Sequence, residues 1–452
     1  MRNVMILAAG KGTRMQSKKN KLVHKILGKE VVNYTVDLAK EVAQNIVAIV
    51  NDDDEETKKS IHGVKFAYQR ERLGTANAVS SGLDLIEEGM LLILAGDTPC
   101  FKLETINGML EYHRDNGSDL TVLGCEMEDP TGYGRLILEN NQLVRIVEHR
   151  DANEQERKVK LINTGVMLFD VKKLKQHISE IKNNNAQKEY YLTDIIEIFN
   201  SYKYKVLSYI TDDFNQTVGI NSREQLSQAQ EILLDRIRKH WLNKGVTMVM
   251  PHTIYIEPTV ELSRDCIIEQ GAILRGNTLI EEDVVIGAYS EIIDSKISNG
   301  TTIERSVIKN STIGKNNIIG PYACIRPNTT TMDSVKIGDF VELKNATIGS
   351  KTKVPHLSYV GDADLDESIN VGCGTIFVNY DGVNKHRSHV GKNSFIGCNT
   401  NIISPVNLEE DTFIAAGTTI TKDVPKGSLA IDKNNVVYKE DGYYHIKGKK
   451  DV

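Results

Sequence analysis

One period organises the second half of the chain and limits its fold more tightly than any other feature. Ile268, Leu274, Ile280, Ile286 and Ile292 stand six apart, and Ile313, Ile319 and Ile325 continue the pattern. Ile337, Leu343, Ile348, Val354, Val360, Leu365 and Val371 follow at steps of six or five, and Val390, Ile396, Ile402, Leu408, Ile414 and Ile420 return to six. Four positions after many of these stands a small or β-branched residue, as at Ala272, Thr278, Val284, Ala323, Thr347, Thr400 and Thr418. A helix repeats at about 3.6 residues and a sandwich strand alternates at about two, so neither fits. A step of six with one deeply apolar position describes a short strand and a turn, stacked coil on coil as a parallel β-helix. Each coil buries its branched residue against the coils on either side, and a slip of one residue would turn the column outward. The stretch Asn379 to Arg387 interrupts the period as an inserted loop, the kind of insertion that builds a solenoid's binding face.

Up to about residue 220 short apolar runs alternate instead with polar, helix-like stretches. Val4 to Leu7, Ile46 to Val50, Leu91 to Leu94, Leu120 to Gly124 and Gly165 to Phe169 read as strands. Strands separated by helices imply crossover units, a mainly parallel sheet, and ligands beyond the carboxyl ends of the strands. Leu226, Ala229, Leu233 and Ile237 then recur at helical spacing, with Ser222 and Gln225 as a capping pair and Gly245 as the stop. The expected division is an α/β domain at 1–221, a linker helix at 222–250 and the hexad domain at 251–452.

Composition removes several functions. The 55 Lys+Arg against 61 Asp+Glu leave a net charge of −6, so no chain-wide positive field is available for nucleic acid. Six cysteines without a C-x-x-C pair read as free thiols of a cytoplasmic protein. The apolar start is too short for a signal peptide, and no uncharged run of roughly 18 residues offers a membrane span.

Leu7-Ala8-Ala9-Gly10-Lys11-Gly12-Thr13-Arg14-Met15 is a glycine-rich turn directly after the first strand, where backbone amides can approach phosphate oxygens. It matches neither the Rossmann fingerprint, which needs glycine at Met15, nor a P-loop. The bland alternative is a tight strand-to-helix turn. Asp97, after the run Leu91 to Gly96, offers a hard oxygen for Mg²⁺ but equally suits a turn ahead of Pro99. Asn221 could ligate a metal or only start the long helix. In the hexad half Arg326, Lys344, His356, Tyr359, Asn370, Asn379 and Tyr380 sit on or beside successive coils. Arginine and lysine suit a sugar phosphate, and a histidine could take a proton from an amine nucleophile, with His386 and His389 as rivals to His356.

The glycine-rich turn, Leu73-Gly74-Thr75-Ala76, Gly96-Asp97, Asp129-Pro130-Thr131-Gly132-Tyr133-Gly134-Arg135, Ile146-Val147-Glu148-His149 and Ile162-Asn163-Thr164-Gly165 resemble the sugar-nucleotide pyrophosphorylases. With the hexad half added, the whole chain resembles the bacterial bifunctional N-acetylglucosamine-1-phosphate uridylyltransferase/glucosamine-1-phosphate N-acetyltransferase family. That resemblance implies a Rossmann-like nucleotidyltransferase domain, a linker helix, and a β-helix whose left hand comes from the family, since periodicity does not set it. It implies that Leu7, Ala8, Ala9, Gly10, Arg14 and Lys21 hold the triphosphate of UTP, while Gln69, Gly74 and Thr75 recognise uracil. Asp97 and Asn221 would carry Mg²⁺. Gly134, Glu148, Asn163 and Asn221 would face N-acetylglucosamine.

For the second half the resemblance implies His356 as catalytic base and Arg326, Lys344, Tyr359 and Asn370 as the glucosamine-1-phosphate site. Cys373, Asn379, Tyr380, Cys398, Ala416 and Lys433 would line the acetyl-CoA groove of a homotrimer whose sites lie between neighbouring stacks. The product would feed envelope polysaccharide synthesis. This sequence departs from the family where Asn20 replaces a frequent proline, where Cys373 and Cys398 replace small residues, and where Lys433 replaces arginine. The alternative is a nucleotidyltransferase whose β-helix is only a scaffold.

Overall fold

A computed structural model describes residues 2–10, 12–140, 142–433, 438–440 and 442–447. Lys11 of the glycine-rich turn lies outside the described residues. The chain divides into two compact units, Met1–Arg236 and Ile237–Val452. Among the described residues no helix is long and apolar enough to cross a membrane.

The first unit is a twisted, mainly parallel sheet. Strand Arg2–Leu7 lies between Asn45–Val50 and Met90–Ala95, parallel to both, and Lys65–Tyr68 extends that side. Leu161–Asp170 enters antiparallel between Met90–Ala95 and Leu120–Glu126, and Val206–Thr211 closes the other edge. The five strands expected from apolar runs are all present. The structure adds Lys65–Tyr68, Val206–Thr211 and the hairpin Arg135–Glu139/Gln142–Val147, whose mixed composition hides their period. Central strands such as Asn45–Val50 are buried on both faces, as expected where helices cover both sides. The register of Leu161–Asp170 shifts between Asn163 and Met167, where Gly165 has φ 82°, and this bulge re-aims the strand beside the cleft described below.

Helix Arg223–Asn243 begins as its sequence predicts. Ser222 Oγ accepts from the Gln225 amide at 3.2 Å, while Gln225 Oε1 accepts from the Asn221 amide at 2.8 Å, one residue short of a standard capping box.

The second unit is a left-handed parallel β-helix of two-to-four-residue strands with a few longer ones. One sheet stacks Met248, Ile268, Ile286, Ile303, Ile319, Ile337 and Val354 in direct register, and Val371, Ile396 and Ile414 continue it. All but Met248 in that column are 0% exposed, and each fully buried branched side chain contributes roughly 1.5–3 kcal/mol. A strict reading of six skips from Ile292 to Ile313. The structure fills the gap with Ile297, Ile303 and Ile308, because the coils contract there by a residue. The inserted loop accounts for the long step between paired Val371 and Ile396.

Left-handed backbone at the coil corners makes the period possible. Asp265, Asp283, Asn316 and Asp411 occupy one corner with φ of 63°, 59°, 56° and 60°, the region that short polar side chains tolerate best. A second corner places bulkier residues in the same conformation: Tyr289, Tyr322, Phe340 and Leu357 at 58°, 61°, 55° and 37°. Tyr322 and Phe340 stack at 5.5 Å there.

Candidate functional sites

In the first unit three strands deliver their following residues to one edge. The Ala8 amide donates to Ile49 O at 2.8 Å, Gly96 to Leu7 O at 2.9 Å, and Gln69 to Val50 O at 2.9 Å, so three post-strand segments lie side by side. They surround a cleft of about 360 Å³ lined by Leu7, Ala8, Ala9, Gly10, Lys21, Gln69, Gly74, Thr75 and Asp97. Of the residues expected around a nucleotide, only Arg14 is missing from this lining. It is exposed on the short turn Thr13–Met15.

Local chemistry fixes each wall. Both amide protons of Gln69 are used, toward Gly74 O at 3.1 Å and Asn77 Oδ1 at 2.8 Å, which leaves its oxygen as the acceptor. Gly74 has φ 114°, and a Cβ there would stand 2.5 Å from Tyr190 O, so only glycine fits. Thr75 Oγ1 accepts from the Leu192 amide at 2.9 Å, holding the segment to the Tyr190–Leu192 stretch. Asn20 has φ −59°, close to what proline would impose, and adds hydrogen bonds from Leu22 N and to Asp54. Side-chain bonds thus replace ring stiffness at this departure from the family.

Asp97 and Asn221, far apart in sequence, meet at one charge. The Lys21 ammonium forms an ion pair with Asp97 and donates to Asn221 Oδ1 at 2.9 Å. The Ile220 amide donates to Asp97 O at 2.9 Å, which brings the start of the long helix to this strand end. Two hard oxygens already facing one cation suit Mg²⁺, which commonly takes one or two protein oxygens and completes its shell with phosphate and water. Among the described residues no cluster of three or more His, Cys, Asp or Glu could hold a metal by itself.

The expected sugar residues also converge. The Asn163 amide donates to Gly134 O at 2.8 Å, and a Cβ on Gly134 would meet Glu148 Oε1 at 3.2 Å. Burial, then the neighbouring Asp151 and Asp194 carboxylates, push the Glu148 carboxyl up. Asp194 itself is pushed up to about 6 by burial and by Glu197 and Asp151. Burial and the Asp97 charge raise the Tyr133 phenol, which places this group beside the cleft.

In the second unit the candidate residues line the coils rather than a closed cavity. His356 and Asp339 are register partners on neighbouring coils, with Nδ1 and Oδ1 2.8 Å apart. The hydrogen bond from His356 holds the Asp339 carboxyl below its usual range, so Nδ1 carries the proton and Nε2 is the free acceptor. His386 is tied to Asp381 inside its own loop at 2.6 Å, and His389 has both ring nitrogens engaged, by Asn407 at 2.9 Å and Asp366 at 3.2 Å. The rivals are thereby occupied by their own surroundings.

Arg326 pairs with Glu342 at 2.6 Å, and Lys344 lies one coil further on. Asn379 donates to Asp362 and reaches the Tyr359 hydroxyl at 3.4 Å, while Asn345 donates to Asp362 from the other side. These bonds knit Tyr359 and Asn379 together. Asn370 stands on the other sheet, between Lys353 and Phe395 in register. Cys373, Cys398 and Ala416 follow the paired residues Val371, Ile396 and Ile414 by two and so share one corner column. Tyr380 and Lys433 are exposed.

Residues 4–163 match the MobA-like NTP transferase domain, 250–356 the GMPPB C-terminal domain, and 389–422 the hexapeptide repeat of succinyl-transferase. The bifunctional protein GlmU of Clostridioides difficile (strain 630) is 44% identical over 451 residues, which cover 99% of this chain and 98% of that protein. The protein of the same name from Caldanaerobacter subterraneus subsp. tengcongensis is 46% identical over 440 residues, 96% of each chain. That from Geobacillus thermodenitrificans is 43% identical over 454 residues, 99% of each. The chain belongs to the bifunctional GlmU family.

Within that family frame, two residues that sequence reading passed over stand in the sites. Arg72 lines the cleft and its Nε donates to Ala9 O at 2.8 Å, pinning the glycine-rich turn from the facing segment. Its signal was a cation directly before Leu73-Gly74-Thr75. Lys385 is returned by the inserted loop, which closes through a Tyr380–Lys385 bridge, and its proximity lowers the Lys344 ammonium. Two ammonium groups forced together call for an anion. No spacing rule could have paired them, since only the loop's closure does.

Proposed function

We propose that the chain acetylates glucosamine-1-phosphate with acetyl-CoA on its β-helix and transfers uridylyl from UTP to N-acetylglucosamine-1-phosphate on its sheet unit, releasing pyrophosphate. The observation that carries this reading is the near-full-length match to bifunctional relatives, which spans both halves and therefore both sets of converging residues. The working division is 1–221 for uridylyl transfer, 222–250 as linker and 251–452 for acetyl transfer.

In the first reaction the sugar-phosphate oxygen attacks the α-phosphorus of UTP as its bond to the pyrophosphate oxygen breaks. The protein's part is to position and to neutralise. Leu7, Ala8, Ala9 and Gly10 line the phosphate side with their backbone, and Lys21 and Arg14 add positive charge. Gln69 presents its oxygen to the N–H of uracil, with Gly74 and Thr75 beside it. Gly134, Glu148, Asn163 and Asn221 hold the acetamido sugar. Asp97 and Asn221 are the residues that would hold Mg²⁺, which when bound supplies charge neutralisation on the phosphates.

In the second reaction Arg326, Lys344 and Lys385 hold the sugar phosphate, and Tyr359 and Asn370 orient the ring. His356, aligned by Asp339, accepts a proton at Nε2 as the amine attacks the thioester carbon and the carbon–sulfur bond breaks. Cys373, Asn379, Tyr380, Cys398, Ala416 and Lys433 line the coenzyme groove. The His356 side chain is 58% exposed and that of Asp339 43%, too open to exclude water alone. We read this as an acetyltransferase site completed by a neighbouring copy in a homotrimer. The product suits envelope polysaccharide synthesis in the cytoplasm.

A coupled assay with glucosamine-1-phosphate, acetyl-CoA, UTP and Mg²⁺ tests the reading. Omitting UTP should leave acetyl-CoA consumption intact and stop pyrophosphate release. A chain that releases pyrophosphate from N-acetylglucosamine-1-phosphate but never consumes acetyl-CoA would reduce the β-helix to a scaffold.

A further inference from the structure

The six cysteines fall into two chemical groups. Cys100, Cys125 and Cys266 are buried. Burial pushes the Cys100 thiol up to about 12 and those of Cys125 and Cys266 to about 11, so they stay protonated and unreactive near neutral pH. Cys324 is exposed but stands apart on another strand, where burial of its sulfur and the Glu342 charge also raise it. Cys398 is exposed and Cys373 half-buried.

Those last two occupy equivalent positions on neighbouring coils. Val371 pairs with Ile396, and both cysteines lie two residues further on. The coils remain in contact at this corner: the Asn399 amide donates to Cys373 O at 2.7 Å, and a Cβ on Gly372 would meet Cys398 N at 2.5 Å. Register-equivalent residues of adjacent strands are about 4.8 Å apart, within the roughly 4.4–6.8 Å Cα separation that a disulfide spans. The next coil has Ala416 in this column, so the thiols form an isolated pair.

We propose that Cys373 and Cys398 are a reversible oxidation site that closes to a disulfide by exchange with a small-molecule disulfide, coenzyme A disulfide being the form that fits the groove. The Cys398 thiolate attacks one sulfur of the small disulfide, whose S–S bond breaks and releases one thiolate. A mixed disulfide forms on Cys398. The Cys373 thiolate then attacks the Cys398 sulfur, the second small thiolate leaves, and the two cysteine protons pass to the departing thiolates. Two protein thiols are oxidised and one small disulfide is reduced to two thiols. Closure draws the two coils' side chains together where the acetyl-CoA groove is assigned, and its effect on acetyl transfer rests on that assignment.

The full-length protein is incubated with coenzyme A disulfide, desalted and measured by intact mass, non-reducing peptide mapping and both activity assays. The expected result is loss of two hydrogens, a Cys373–Cys398 linked peptide, loss of acetyl transfer restored by dithiothreitol, and unchanged uridylyl transfer. Cys373→Ala should instead accumulate one coenzyme A adduct on Cys398. In Cys398→Ala the ratio of oxidised to reduced activity should stay at one, whatever the basal rate. Absence of the linked peptide, or linkage through another cysteine, overturns the proposal. Linkage without loss of acetyl transfer overturns its placement in the groove, whereas a reduced protein that never consumes acetyl-CoA overturns the proposed function and leaves the thiol pair standing.

Discussion

The two units solve the same problem, gathering charged groups around a phosphate-bearing substrate, in opposite ways. In the sheet unit three strand ends converge and enclose a cleft within one chain, so Lys21, Asp97 and Asn221 meet at one point from distant stretches of sequence. In the β-helix the groups are laid out along neighbouring coils on an open surface, and His356 and Asp339 remain widely accessible. Converging loops make a pocket by topology. A stack of coils makes a surface, which becomes a pocket only against another surface.

The sharpest way to break this comparison is to disable each unit in turn. His356→Ala should lower acetyl transfer by about 10²–10⁴-fold, the contribution of a general base, and leave pyrophosphate release unchanged. Asp97→Ala should lower uridylyl transfer by about 10²–10³-fold and spare acetyl transfer. Steady-state assays of both reactions on both variants check this, and any crossed loss would mean the units are not chemically separate.

Stability should divide similarly. Ile337→Ala removes part of a fully buried column between Ile319 and Val354 and should cost about 2–5 kcal/mol in the β-helix unit. Urea denaturation followed by acetyl transfer should show it, with the uridylyl transfer midpoint shifted less. Equal shifts in both would contradict the division into two compact units.

A smaller effect tests the enclosed wall. Gly74→Ala must place a Cβ against Tyr190 O in an unfavourable backbone region, at roughly 1–3 kcal/mol. It should raise the KM for UTP and leave acetyl transfer untouched. An unaltered KM would show that this segment does not shape the nucleotide site.

The smallest expected effect concerns pH. The Asp194 carboxyl is raised to about 6 in the folded protein against 3.8, so between those values the folded state binds the extra proton and stability rises as pH falls. Asp194→Asn removes the cost of the buried charge. It should stabilise the sheet unit by about 1 kcal/mol at pH 7.5, after allowance for solvent screening, and by nothing near pH 4. Denaturant midpoints at the two pH values check the sign, and a destabilised variant at pH 7.5 would refute it.

The sequence by itself determined the β-helix and much of the sheet, because burial of one residue in six, or of a whole central strand, leaves a periodic mark that needs no tertiary knowledge. It also determined the nucleotide lining, since residues directly after parallel strands must lie at one edge. Tertiary structure alone decided which charges meet. The Lys21 contact with Asp97 and Asn221 depends on a backbone bond from Ile220 to Asp97, and Lys385 reaches Lys344 only because the inserted loop folds back. Strands such as Val206–Thr211 were hidden because their burial is partial, and Arg72 because one cation before a turn has no period. Periodicity records what a side chain buries, whereas a site is made by which distant segments hydrogen-bond to each other, and that pairing leaves no local trace.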